Sequence, residues 1–432
     1  MSFTQTEQLT GTNYYAATAP RGEAFPTLDG DIDVDICVVG GGLTGLSAAL
    51  ELAQRGFSVA LLEGRQIAWA ASGRNGGQVI VGFGCSNEII EKQLGLQDAK
   101  CAWDISVQAA QLIYDRIKQF NIDCDFTPGW LLLAARKFHV AHLRDWHEEL
   151  RTKYGYGDNV EYVPPGEISK WAASTQYHAG VYDRFSGHIH PLKYALALAS
   201  ACAAAGVRIF EQSHVTAIHY GEPARVTAAK GSVRCRFIVL ATNVFIGNLA
   251  PKLDARIMPV GGTVFATESL DPDLAQSLVR HRAAVCDSNF LLDYYRVTPD
   301  NRMLWGGRST YSKHANGDGV EWLRKKMVGL YPQLKNVKVE FGWGGMIDLS
   351  LNRAPDFNRL APNVYYLQGF SGHGLALSGM AGKLAAEAIA GQAERFDVFT
   401  RIQHRAFPGG RWLRTPGLVL GTLYYRLRDA LG

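Results

Sequence analysis

The sequence predicts an α/β chain, α+β overall, in which a doubly wound parallel sheet is interleaved with a second, antiparallel sheet. Three observations carry this expectation. An apolar run, a glycine-rich turn and a helical pattern follow one another at 36–54. Apolar runs ending in polar or glycine-rich turns recur at 237–243 and 363–374. Between them, the stretches at 126–136, 261–270, 290–297 and 301–309 read as strands set off by turns.

The first unit is "DIDVDICVVGGGLTGLSAALELAQRGFSVALLEG", residues 31–64. Residues 36–39 are apolar and mostly β-branched, which suits a strand buried on both faces. Gly40, Gly42 and Gly45 then fit G-x-G-x-x-G, with Leu43 and Thr44 inside the turn. Leu46, Ala49, Leu50 and Ala53 recur at helical spacing, and Gly56 stands where a C-terminal cap belongs. A second strand, 58–62, ends at Glu63. In this order the glycines allow a tight turn, backbone approach to a pyrophosphate and close helix–strand packing. The helix N-terminus offers N–H groups and partial positive charge to phosphates, and Glu63 is spaced to accept from a ribose hydroxyl. The unit predicts a dinucleotide site and leaves FAD and NAD open.

The loop after Glu63 bears on that choice. "GRQIAWAASGRNGGQVIVGF", 64–83, is polar and glycine-dense where a nicotinamide dehydrogenase would normally continue with another βα unit. Gly64, Arg65, Ser72, Arg74, Asn75, Gly76, Gly77 and Gln78 offer close backbone approach, several donors and a cation. The 237–240 strand brings Ala241, Thr242 and Asn243 to the same edge, and Val215 and Gly345 join the expected wall. Gly372, His373 and Gly374, followed by Leu375 and Ala376, aim a second helix N-terminus at the ligand.

Composition narrows the function classes. The chain has 432 residues, 47% hydrophobic and 19% charged, with net charge +4 and no basic run interleaved with aromatics, so nucleic acid is not an expected partner. Seven scattered cysteines without CxxC spacing read as reduced thiols. "MSFTQTEQLT" lacks an export signal and no apolar run is long enough to span a bilayer, so a cytoplasmic location is expected. His188 and His190 in "GHIHP" have no third ligand nearby, so no metal site is expected.

The chain divides into an extended arm at 1–30, a discontinuous dinucleotide domain at 31–85, 186–253 and 341–395, a substrate domain at 86–185 and 254–340, and a tail at 396–432. Within the tail, 412–431 is apolar and basic and reads as a helix packed on the body, with weak membrane-surface contact as the alternative.

"SGRNGGQ" (72–78), "GHIHPLKYALALA" (187–199), "CDSNFLLDYYR" (286–296), "GWGGMIDLSLNRAPDFNRLAPNVYYLQGFSGHG" (342–374) and "FPGGRWLRTP" (407–416) occur in that order. In this the chain resembles the bacterial gamma-glutamylputrescine oxidoreductases, a branch of the D-amino-acid-oxidase superfamily. The resemblance implies a Rossmann-like FAD-binding domain, non-covalent FAD and a small-molecule amine substrate. It implies oxidation to an aldehyde and ammonia, with O2, a quinone or a carrier taking the electrons. Glycine, sarcosine or D-amino-acid oxidation is the alternative, as is a non-redox FAD protein. Sarcosine-oxidase-like relatives carry a substrate-gripping lysine where this chain has Ala376, which disfavours a substrate held by its carboxylate. No cysteine follows Cys286, which disfavours a flavin thioether. Tyr294, Tyr295, Trp305 and Trp343 are candidate walls for the amine. His373, Tyr295, Trp343 and Arg74 are the candidate catalytic residues, and Asp293 and Arg308 are candidates for holding the far end of the substrate.

Overall fold

The computed structural model describes residues 13–307, 318–409 and 414. Its centre is a six-stranded sheet in the order Asp356–Ala361, Val364–Gln368, Phe237–Leu240, Ile36–Val39, Val59–Leu62 and Arg208–Phe210. Neighbours are parallel except the Asp356–Ala361 edge strand, which is antiparallel to Val364–Gln368. The Ile36–Val39 and Val59–Leu62 strands are buried throughout, as their unbroken apolar runs require. Ile36 is fully buried, and truncating it to alanine is expected to cost about 2–5 kcal/mol.

The helices Leu43–Gln54, Pro191–Ala204 and Gly374–Ile389 pack with this sheet. Two of them approach one another backbone to backbone. A Cβ on Gly382 would lie 2.5 Å from the Thr44 carbonyl oxygen, and the Ser47 hydroxyl donates to the Gly379 carbonyl at 2.5 Å. The small residues of "GMAGKLAAEA" permit that approach, which ties the Gly374 helix to the Leu43 helix.

A nine-stranded sheet forms the second body. Its main order is Val339–Ser350, Ile257–Thr267, Met303–Gly307, Asp293–Val297, Ala284–Asp287, Thr127–Leu133, Gly180–His188 and Gln78–Val79, with Val160–Val163 paired to Gly180–His188. Pairing is antiparallel except between Ala284–Asp287 and Thr127–Leu133. A four-stranded sheet, Gly30–Asp33, Gly231–Cys235, Ala224–Ala228 and Val215–His219, stands apart.

Three expectations need correction. The strand Val339–Ser350, assigned from sequence with the dinucleotide block, pairs along Ile257–Thr267 in the large sheet. Gln78–Val79 also joins that sheet, so the glycine loop passes from one body to the other. The arm is not loosely extended from residue 13 onward. Tyr14–Thr18 is a helix capped by the Asn13 side chain, Tyr15 is fully buried, and Gly30–Asp33 is a strand. A five-residue helix carries too little periodicity to announce itself in sequence.

No helix among the described residues is long and apolar enough to cross a membrane. Residues 1–12, Arg308 and the expected tail helix lie outside the described residues, apart from Arg414, whose guanidinium is buried against the Asp254 carboxylate.

Candidate functional site

The carboxyl ends of the central strands open onto a cavity of about 580 Å³. Gly40 has φ +111°, and a Cβ there would lie 2.4 Å from the Ala241 carbonyl oxygen. A Cβ on Gly45 would lie 1.9 Å from the Gly40 carbonyl oxygen, so only glycine lets the helix start against the strand. Gly42 begins the Leu43–Gln54 helix without a side-chain cap, and the Ser72 hydroxyl accepts from the Leu43 N–H at 3.0 Å. Glu63 accepts from the N–H groups of Gly41 (2.7 Å) and Arg65 (2.8 Å). Burial pushes its carboxyl above the usual range, against the pull of those two bonds.

The 72–78 loop is held largely by itself. The Asn75 amide donates to the carbonyls of Ala71 (2.9 Å) and Ser72 (3.2 Å), and its oxygen accepts from Gly77 N–H at 2.8 Å. Arg74 donates from Nε to the Trp69 carbonyl at 2.7 Å and lies 5.6 Å from the Trp69 ring centre. Burial, with Arg21 nearby, lowers its pKa. The Gln78 oxygen accepts from Trp130 Nε1 (3.2 Å) and the Cys286 thiol (3.0 Å), while its amide donates to the Val285 carbonyl (3.0 Å).

Across the cavity, the Gly374–Ile389 helix also begins without a side-chain cap. His373 at its start reaches the Val81 carbonyl at 3.3 Å, and burial pulls its imidazole down to about 4. The neutral ring therefore donates from Nε2 to that carbonyl. Asp348 ties this turn to the large sheet by accepting from the Gly369 N–H at 2.5 Å. Burial pushes its carboxyl up to about 6.

Of the residues singled out in the sequence, Gly40, Gly42, Leu43, Thr44, Glu63, Gly64, Ser72, Arg74, Asn75, Gly76 and Gln78 line this cavity. So do Val215, Ala241, Thr242, Asn243, Gly345, Gly372, His373, Gly374, Leu375 and Ala376. Gly45, Arg65 and Gly77 do not. Gly45 serves helix packing, the Arg65 guanidinium lies 5.7 Å from the Trp69 ring centre, and Gly77 faces the Ile189 carbonyl.

The candidate substrate walls separate by strand face. Tyr294 lines the cavity, whereas Tyr295 is fully buried on the opposite face. Tyr295 stacks on Trp305 at 4.2 Å and its hydroxyl meets those of Tyr177 (3.2 Å) and Tyr331 (2.9 Å). Trp305 is buried with it. Trp343 is also off the wall, donating from Nε1 to the Arg74 carbonyl at 2.9 Å and meeting Tyr15 edge-on at 5.4 Å. Asp293 is buried and pairs with Lys326 at 2.5 Å, so it is committed within the sheet rather than held out to a ligand. His188 ends a strand and His190 caps the Pro191–Ala204 helix, accepting from Lys193 N–H at 3.2 Å. No cluster of His, Cys, Asp or Glu among the described residues could hold a metal ion.

Sequence reasoning missed Trp103, Trp130, Trp146 and Tyr156, which line the chamber beyond the cradle together with Tyr294. Trp130 lies in the stretch that reads as a strand at 126–136, and no element is assigned from sequence around the other three. The aromatic density of 103–156 was the available signal, without register to orient it.

The glycine cradle, the two helix starts that lack an N-cap side chain and Glu63 fit FAD: the Leu43 helix and Glu63 would hold its dinucleotide portion, and the 72–78 loop with the Gly374 turn would hold its ring. The comparisons agree. Residues 35–388 match the family described as FAD dependent oxidoreductase. The chain is 42% identical over 421 residues to gamma-glutamylputrescine oxidoreductase of Escherichia coli strain K12, covering 97% of this chain and 98% of that protein. It is 38% identical over 423 residues to the probable oxidoreductase OrdL of Haemophilus influenzae, covering 96% of this chain and 97% of that protein. Its fold is that of the crystal structure of glycine oxidase from Geobacillus kaustophilus, with a TM-score of 0.72 at 20% identity over 83% of this chain and 95% of that one. The chain belongs to the FAD-dependent oxidoreductase family of D-amino-acid-oxidase type, and its cofactor is FAD.

Proposed function

We propose that this enzyme oxidatively deaminates a primary amine, gamma-glutamylputrescine or a related polyamine derivative, to an aldehyde and ammonia. The observation that carries the reading is the continuity of the cavity. It runs from the dinucleotide cradle into a chamber walled by Trp103, Trp130, Trp146, Tyr156 and Tyr294. The curated relative of that name supports the choice of amine.

FAD supplies the two-electron acceptor, and the chain's own residues do the rest. An alkylammonium with pKa near 10.4 costs about 4–5 kcal/mol to neutralise at pH 7. An aromatic, water-poor chamber favours the neutral amine by desolvation, which is the form that can donate electrons. The same ring faces attract the remaining positive charge of a polyamine chain. Gln78, at the end of the 72–78 loop, ties that loop to Trp130, Cys286 and Val285. His373, whose imidazole burial pulls down to about 4, holds the Val81 carbonyl. The Gly374–Ile389 helix start directs partial positive charge into the cavity, where it would stabilise the electron density that bound FAD gains on reduction.

Anaerobic mixing of the yellow holoenzyme with gamma-glutamylputrescine, putrescine, glycine, sarcosine and D-alanine tests the reading. Rapid bleaching by gamma-glutamylputrescine is expected. Bleaching by glycine or D-alanine alone, or by none of the five, would overturn it. Peroxide formation in air then separates O2 from a quinone or carrier as the electron acceptor.

A further inference from the structure

Arg296 is 1% exposed, absent from the cavity wall, and pressed against the back of the 72–78 loop. Its Nε donates to the Gly76 carbonyl at 2.9 Å. Nη2 donates to the Ile189 carbonyl (3.2 Å) and the Tyr15 hydroxyl (3.3 Å), and Nη1 donates to His188 Nδ1 (3.4 Å). Every one of these partners is a neutral dipole. Burial, and then the guanidinium itself, pull the His188 imidazole down to about 3, so the ring is uncharged and donates from Nε2 to the Arg282 carbonyl at 2.9 Å. Asp300, on the same hairpin, is paired with Arg302 at 2.6 Å and accepts from Tyr14 at 2.7 Å. No carboxylate among the described residues lies within salt-bridge distance of Arg296.

A guanidinium stays protonated under any condition the fold survives, and burying one without a counter-charge is costly. Its field is also felt further in a low-dielectric interior than in water. Between this charge and the cavity stands a single peptide unit: Gly76 accepts from Arg296 on one side and lines the cavity on the other. FAD held against the Gly76 side of the cavity would present to this charge the electron density it gains on reduction.

We propose that Arg296 is a positioning residue for the redox step, whose fixed positive charge behind Gly76 favours the reduced, electron-rich form of bound FAD. The proposal rests on the family's cofactor and on no particular amine, so its failure leaves the substrate reading standing, and the reverse.

The test is reductive titration of holoenzyme against a reference dye, read as the ratio of reduced to oxidised flavin at fixed dye poise. Arg296→Met removes the charge and keeps much of the volume. Its ratio is expected to fall about tenfold, about 30 mV for a two-electron couple. Arg296→Lys keeps the charge but loses the planar fork, and its ratio is expected to stay within about twofold of the native enzyme. A native ratio in the Met variant, or equal shifts in both variants, overturns the proposal, because a purely structural clamp is lost in both. Where the Met variant does not retain FAD, His188→Asp and His188→Asn decide. The carboxylate set beside Arg296 must lower the ratio relative to the asparagine variant, and equal ratios overturn the proposal.

Discussion

Replacing His188 by asparagine is expected to flatten the acid side of the stability curve. His188 is fully buried between the Arg296 guanidinium and the Arg282 carbonyl, with its pKa lowered to about 3 from an ordinary 6.5. A group whose folded pKa is depressed contributes stability that is present above its unfolded pKa and is lost as pH falls toward the folded one. The window here therefore opens near pH 6.5 and closes near pH 3. At pH 5.5 the unfolded side chain holds about 0.9 proton and the folded one almost none. Unfolding at that pH thus takes up about 0.9 proton through this residue, and stability there is about 1.4 kcal/mol lower than at pH 7.5 on its account. Asparagine keeps an acceptor for Arg296 but cannot titrate. It also loses the bond to Arg282, which shifts the whole curve down by about 1–2 kcal/mol without changing its slope. Proton uptake on unfolding, measured calorimetrically in buffers of different ionisation enthalpy, isolates the effect from that offset. Uptake should drop by about 0.9 proton at pH 5.5 and hardly at all at pH 7.5. Unchanged uptake at pH 5.5 would mean that the native histidine is already charged beside Arg296, and the neutral-dipole setting of that guanidinium would be refuted.

Tyr295→Phe keeps the ring on Trp305 and deletes the hydroxyl shared with Tyr177 and Tyr331. It should lower stability by about 1–2 kcal/mol in urea unfolding while leaving the rate of amine bleaching within about twofold; a raised KM with unchanged stability would return Tyr295 to the substrate wall. Gly42→Val should give folded but colourless protein. Its Cβ would approach the Ser72 hydroxyl to 2.8 Å and its branches would fill the cradle, so a yellow variant would contradict the site.

The first βα unit was legible because its constraints are local. Gly45 is fixed by the Gly40 carbonyl five residues away and Gly40 by its own positive φ, although the Ala241 carbonyl that also excludes a Cβ there follows a distant strand. The helix observed at Leu43–Gln54 fits the periodic apolar positions. The choice between Tyr294 and Tyr295 was not legible. Alternation says that neighbours face opposite ways, but the face is set by pairing Tyr294 with Gly306 and Tyr295 with Trp305 on another strand. The supports behind the site were hidden for the same reason. Arg296 meets Gly76 across 220 residues and Tyr15 across 281. A lone arginine in a strand pattern carries no mark of such contacts.

The glycine-dense 72–78 loop joins the two bodies through what its glycines leave out. A Cβ on Gly76 would lie 2.5 Å from the Tyr294 ring, and one on Gly77 would lie 2.2 Å from the Ile189 carbonyl oxygen and 3.0 Å from Arg296. Gly306, opposite Tyr294, is cleared in the same way, with a Cβ 2.2 Å from that ring. The tyrosine thus sits in a slot cut by one glycine of the 72–78 loop and one of the large sheet. Asn75 meanwhile spends its hydrogen bonds on the loop itself, so the turn keeps its shape while its neighbours press on both sides. The cradle and the proposed amine chamber are therefore not independent modules. A side chain added at residue 76 would displace Tyr294 from the proposed amine chamber and the Gly76 carbonyl from Arg296 in one movement, so that variant should change amine affinity and flavin potential together.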